Sequence, residues 1–135
     1  MKENNSKINK ITTSLILPYI LAFAFYVQIF GEVAPGGGFQ AGAIFASCWI
    51  AYDLSIKNIT SSLSSLQLLR FAAFGVLIYL LTGLYAMLKG ESFLDYYAIS
   101  EKFGQAFGIM MVEFGVGITV FSIMLFLYME MKIAK

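Results

Sequence analysis

From Ile11 to Phe30 the chain carries no charged side chain. Three more stretches are nearly as bare. Residues 39–56 are uncharged until Asp53, residues 70–88 hold only Arg70 at their start, and residues 104–129 contain one internal charge, Glu113. A hydrocarbon layer about 30 Å thick takes roughly 20 mostly apolar residues per helix. Apolar side chains surround each stretch, so none presents a water-facing stripe. A transmembrane barrel would show alternating segments of about ten residues, and none is seen. Composition agrees. Apolar residues make up 59% and charged residues 13% of the 135 positions, where soluble domains hold about 45–50% and about 25%. A chain this short has too little interior to hide that surface from water. The expected fold is an all-α integral membrane protein. It would be a bundle of four transmembrane helices at residues 11–30, 39–56, 70–88 and 104–129, forming a single membrane domain over residues 1–135.

Orientation follows from the basic residues. Lys2, Lys7, Lys10, Lys57, Arg70, Lys132 and Lys135 lie on one side of a four-span arrangement, and only Lys89 and Lys102 on the other. The positive-inside rule then places both termini in the cytoplasm. Ala22-Phe23-Ala24 has the form of a signal-peptide cleavage site. The apolar run continues past it to Phe30, so a retained first helix is the expectation. Residues 31–38 form a tight link. Residues 56–69 form a serine-rich inner loop. Residues 89–103 form the longest outer link, with Tyr96 and Tyr97 at an interfacial level.

The inventory excludes much chemistry. No histidine is present, so His-ligated haem, His-bearing zinc sites and Ser-His or Cys-His nucleophile pairs are absent. Cys48 is the one cysteine, which forbids an internal disulfide and reads as a small packing residue. A net charge of +1 gives no polycationic surface for nucleic acid. No catalytic residue, metal or cofactor is expected.

Membrane helices associate through small residues. The expected seams are Ala72, Gly75, Gly83 and Ala86 in the third helix, Ala43, Ser47 and Ala51 in the second beside Gly42 and Ala46, and Gly104, Gly108 and Gly115 in the fourth. Pro18 would sit in the first turns of helix one.

Glu113 is the residue most in need of an explanation. A charge inside a span costs at least about 2.5–3.5 kcal/mol, so it faces protein, a water-filled cavity, or is protonated. Its helical angle is almost opposite the Gly104/Gly108/Gly115 seam. If that seam packs within the chain, Glu113 addresses a different neighbour, such as another subunit. It is a candidate for an ion or proton path, with a carboxyl that only bonds a partner as the plainer reading. The second signal is Pro35-Gly36-Gly37-Gly38-Phe39-Gln40, in which proline fixes φ and the glycines allow positive φ and close backbone approach. A phosphate cradle would need a Lys and Ser/Thr next, and Phe39-Gln40 follow instead. The plain reading is a tight hairpin; the other is exposed backbone lining a polar path or receiving a partner helix. Asp53 could line an ion access path, though a helix-end carboxylate reaches headgroup water, and it could pair with Arg70.

The run from Gly31 to Gly42 resembles the G-[HE]-x-[STA]-P-G-G-G-F-Q-[GA]-G hairpin of the B-subunit family of Mrp-type (Mnh) multisubunit sodium/proton antiporters. Val112-Glu113-Phe114-Gly115-Val116-Gly117-Ile118-Thr119-Val120 resembles the same family's E-x-G-V-G-[IL]-T-V segment. The chain departs from the pattern at Glu32, where histidine is frequent, at Ala34 and at Ala41. The resemblance implies a small non-enzymatic subunit in a bacterial cytoplasmic membrane. Its partners would be other integral membrane subunits, lipid, protons and monovalent cations. Its matching positions are Pro35, Gly36, Gly37, Gly38, Phe39, Gln40 and Glu113. The alternatives are an autonomous homodimeric proton-coupled transporter, or a scaffold subunit of a related hydrogenase-type membrane complex.

Overall fold

A computed structural model describes residues 2–31, 36–56, 64–98 and 104–133, with side chains from residue 7 onward. All regular structure among the described residues is helical: α1 (Lys2–Ile29), α2 (Gly38–Ser55), α3 (Ser65–Leu88), a 3-10 turn at Tyr96–Ala98, and α4 (Gly104–Ile133).

Three ends differ from the sequence expectation. The polar N-terminal stretch continues α1 back to Lys2, so Pro18 lies in the interior of a 28-residue helix. Helix α3 starts earlier than residue 70. The Ser64 side chain accepts from the Leu66 N–H at 3.3 Å, while the Ser64 N–H donates to Gln67 Oε1 at 3.0 Å. This reciprocal capping pair is a strong helix start. Helix α4 carries on to Ile133, which makes Glu130 and Lys132 helical.

The extensive contacts run in the order α1–α2–α4–α3, and α1 meets α4 only slightly. The four helices therefore form an open row with α2 and α4 inside it. Consecutive helices run antiparallel, so α2 and α4 are parallel. An open row leaves large apolar side chains uncovered, among them Tyr19, Leu54 and Leu88. In water such a surface would be untenable; it suits lipid or neighbouring subunits. Among the described residues, three helices are long and apolar enough to cross a membrane, over Lys7–Ile29, Ser65–Leu88 and Gly104–Ile133. Helix α2 has 18 residues and includes Gln40, Ser47 and Asp53. At 1.5 Å per residue it reaches about 27 Å.

The small-residue seams exist, with altered membership. Gly75 and Gly115 are mutual: a Cβ at Gly115 would stand 2.7 Å from the Gly75 carbonyl oxygen. The Thr119 hydroxyl donates to the Gly115 carbonyl at 2.9 Å, and also lies 3.3 Å from the Ala72 carbonyl on α3. Gly83 and Gly108 do different work. They are seats for the Phe93 and Tyr96 rings, which fold back from the outer link. Tyr96 is thus half-buried between α3 and α4, while Tyr97 stays exposed. In α2 the buried face is Gly38, Ala41, Gly42, Ala46, Cys48 and Asp53. The expected Ala43/Ser47/Ala51 stripe is not it: Ser47 is exposed, its hydroxyl turned back to the Ala43 carbonyl at 2.8 Å.

Candidate functional site

Glu113 and the glycine hairpin, separate signals in the sequence, meet in space. A Cβ at Gly31 would stand 2.6 Å from Glu113 Oε2 and 2.7 Å from Oε1. One at Gly37 would stand 3.2 Å from Oε1. The carboxyl group therefore lies between the end of α1 and the start of α2. The helical angle correctly turned Glu113 away from the glycine seam, since Gly115 faces α3. The neighbour it addresses is this chain's own hairpin, where another subunit had been an expectation.

Each glycine of the triplet has its own reason. A Cβ at Gly36 would meet Val27 Cγ1 of α1 at 3.0 Å. Gly37 has φ 123°, which L-residues with a side chain rarely adopt. Gly38 lies directly on the backbone carbonyl of Glu113, where a Cβ has no room. Gly37 is also the N-cap of α2 and offers no side-chain cap bond. The Glu113 carboxyl stands where a capping carboxylate would, at the positive end of the α2 dipole. Phe39 is exposed and so points away from this group, and Gln40 lies at its rim, with Oε1 3.8 Å from a Cβ at Gly37. Pro35 and Glu32 lie outside the described residues.

Two further residues complete the surroundings. Gln28 of α1 is 5% exposed, and its Nε2 has no hydrogen-bond partner among the described residues. Its Oε1 lies 2.7 Å from a Cβ position on Gly117, one turn along α4 from Glu113. Tyr96 packs over Gly108 on the other side of α4. Burial raises its phenol pKa, and the neighbouring Tyr79 and Glu113 raise it further. Gln28 was legible: it is the one amide in the uncharged run from 11 to 30, passed over by a search for charges alone. Tyr96 was not, because its place depends on how the outer link folds.

Asp53 behaves unlike the helix-end carboxylate expected from sequence. Its side chain has no exposed surface. Oδ2 accepts from Lys132 Nζ at 2.6 Å and from the Tyr128 hydroxyl at 2.8 Å. Its cation is therefore Lys132, made helical by the extension of α4, and Arg70 stays exposed. Asp53 and Glu113 lie at opposite ends of the α2–α4 seam.

With this geometry in view, comparison with known proteins is specific. Residues 8–126 match the model of the family described as "Domain related to MnhB subunit of Na+/H+ antiporter". The chain belongs to this family. Similar proteins from Staphylococcus aureus strains Newman, JH1 and COL carry the name "Putative antiporter subunit mnhB2". Each is 35% identical over 99 residues, covering 72% of this chain and 69% of the relative. No solved structure matches. The match runs from residue 8 in α1 to Phe126 in α4, so Glu113, the described part of the hairpin and Asp53 lie within the family segment, while Tyr128 and Lys132 lie beyond it.

Proposed function

We propose that this MnhB-family chain is a membrane subunit of a multisubunit Na+/H+ antiporter in a bacterial cytoplasmic membrane, and that Glu113 lies on its ion path. In this reading residues 1–135 form one membrane domain, α2 is a fourth crossing enclosed by α1 and α4, and both termini are cytoplasmic. Family membership does not favour an autonomous homodimeric transporter or a hydrogenase-type scaffold.

The observation that carries the reading is the depth of the hairpin. Glu113 lies nine residues along α4, about 14 Å from its first turn. Gly31, Gly37 and Gly38 lie at that same level. The end of α1 and the start of α2 therefore meet α4 well short of the level where α4 begins. Irregular backbone at membrane depth is tolerated where protein buries it or where it lines a water-filled cavity. Here it adjoins a carboxyl, with the Gln28 amide, whose Nε2 has no hydrogen-bond partner among the described residues, one turn away. Gly36, Gly37 and Gly38 wall this recess, with Gln40 at its rim. A carboxylate at such a place can take up a proton or a monovalent cation and release it. Asp53, the other ion-path candidate, is read here as a fastening to Lys132 and Tyr128 at the opposite end of the seam.

The test is Glu113→Gln in the assembled complex. Antiport should fall at least about tenfold, equivalent to about 1.4 kcal/mol of barrier, while assembly stays normal. Glu113→Asp should retain part of the activity. Unchanged antiport with normal assembly would reject the path role. A reporter fused at the C-terminus should read cytoplasmic.

A further inference from the structure

Between α1 and α2, away from Glu113, a groove of 570 Å³ opens on the apolar surface. Its walls include Ser14, Leu17 and Leu21 of α1, Phe45 and Trp49 of α2, and Phe121 of α4. We propose that this groove holds one acyl chain of an anionic phospholipid, with the headgroup at Lys10 and Lys7.

Length and shape favour an acyl chain over a partner helix. From Ser14 to Leu21 the α1 wall is about 10 Å long. From Phe45 to Ile56 the α2 wall is about 16 Å. That matches one leaflet, about half of the 30 Å hydrocarbon layer. Nearer the glycine hairpin the groove is closed by the Phe25 and Phe45 rings, which meet edge to face at 4.9 Å. A partner helix crossing the whole membrane would need a seam that continued past this point. A lipid tail ends there.

Charge favours an anionic headgroup. Lys7, Lys10, Ser14, Leu17 and Leu21 fall within about 100° of arc on α1 at 100° per residue. The groove face of α1 thus continues into two exposed lysines. Lys10 lies about 6 Å beyond Ser14 along the axis, the level of a headgroup whose tail fills the groove. The proposal is independent of the ion path, since it uses no residue of the Glu113 recess.

Trp49 is the chain's one tryptophan and lines the groove, so its fluorescence reports the occupant. The full chain is reconstituted in phosphatidylcholine vesicles containing either brominated phosphatidylglycerol or brominated phosphatidylcholine. Brominated phosphatidylglycerol should quench Trp49 with a preference of about fivefold, the scale set by a basic side chain near an anionic headgroup. Lys7→Gln with Lys10→Gln should bring the two lipids to parity, and Ser14→Phe should reduce quenching by both. Equal quenching in the parent, or a preference that survives loss of both lysines, overturns the proposal. In the assembled complex, Ser14→p-benzoyl-phenylalanine should crosslink to a phospholipid on irradiation. A crosslink to another subunit overturns it.

Discussion

The two ends of the α2–α4 seam each hold a carboxylate, and they treat it in opposite ways. At one end Asp53 is sealed from solvent and tied to Lys132 and Tyr128 by bonds of 2.6 and 2.8 Å. A buried charge with a cation and a phenol at hydrogen-bond distance is a fastening. Beside it lies a well-filled apolar cluster of Ala46, Leu68, Leu125 and Met129. At the other end Glu113 is half-buried, and glycine backbone and a buried amide surround it. There the helices approach through glycines, and the adjoining backbone is irregular. The difference separates a place built to stay closed from a place where a carboxylate's charge can change without breaking an interface.

The largest effect is expected where the helices touch most closely. Gly38→Ala puts a methyl group onto the Glu113 carbonyl, which is backbone and cannot rotate away. The loss should lie at the upper end of the roughly 1–3 kcal/mol that overpacking costs. It should appear as a lower melting temperature of the purified complex and a reduced yield. A normal melt would mean that α2 and α4 are not in contact at this level.

Lys132→Met probes the fastened end. It removes the cation from a carboxylate with no exposed surface. Breaking a buried pair is strongly destabilising because it leaves an uncompensated charge, and the 37% exposure of Lys132 makes the loss smaller than for a fully buried pair. Combining it with Asp53→Asn should recover most of the loss, because no uncompensated charge then remains. Additive losses would show that the two side chains act separately. Antiport per assembled complex should stay within about twofold in the double variant, a difference worth about 0.4 kcal/mol of barrier. A larger fall would make Asp53 part of the transport chemistry.

The sequence made the helices and both carboxylates legible for distinct reasons. Long uncharged runs announce helices in lipid, so four of them were legible, with ends displaced by up to nine residues. Those ends moved where capping and polar continuation decide them, at Ser64, Lys2 and Ile133. The angle of Glu113 on α4 was legible from helical periodicity. Its neighbour was not, because which helix lies alongside another is not a local property of either. The same holds for Asp53. Its partner lies in a turn of α4 that sequence assigned to a tail, so Arg70 was the cation considered for it and Lys132 was missed. Gly83 and Gly108 mark the limit of small-residue reasoning: a glycine gap receives a ring as readily as a helix.

Gln28→Leu has the smallest expected effect on stability and separates the two ends best. The Gln28 side chain is buried, and its Nε2 has no hydrogen-bond partner among the described residues. A buried orphan donor is unfavourable by about 1–3 kcal/mol, and an apolar group of similar size removes that penalty. The melting temperature should therefore stay level or rise slightly, by the equivalent of about 1 kcal/mol or less. An amide that matters only to packing would leave antiport untouched as well. If the amide belongs to a polar path with Glu113, antiport should fall while the melt does not, and the effect should be largest at low cation concentration. A fall in the melting temperature would place a firm partner on Nε2. It would then make the hairpin end a second fastening, and remove the contrast with Asp53.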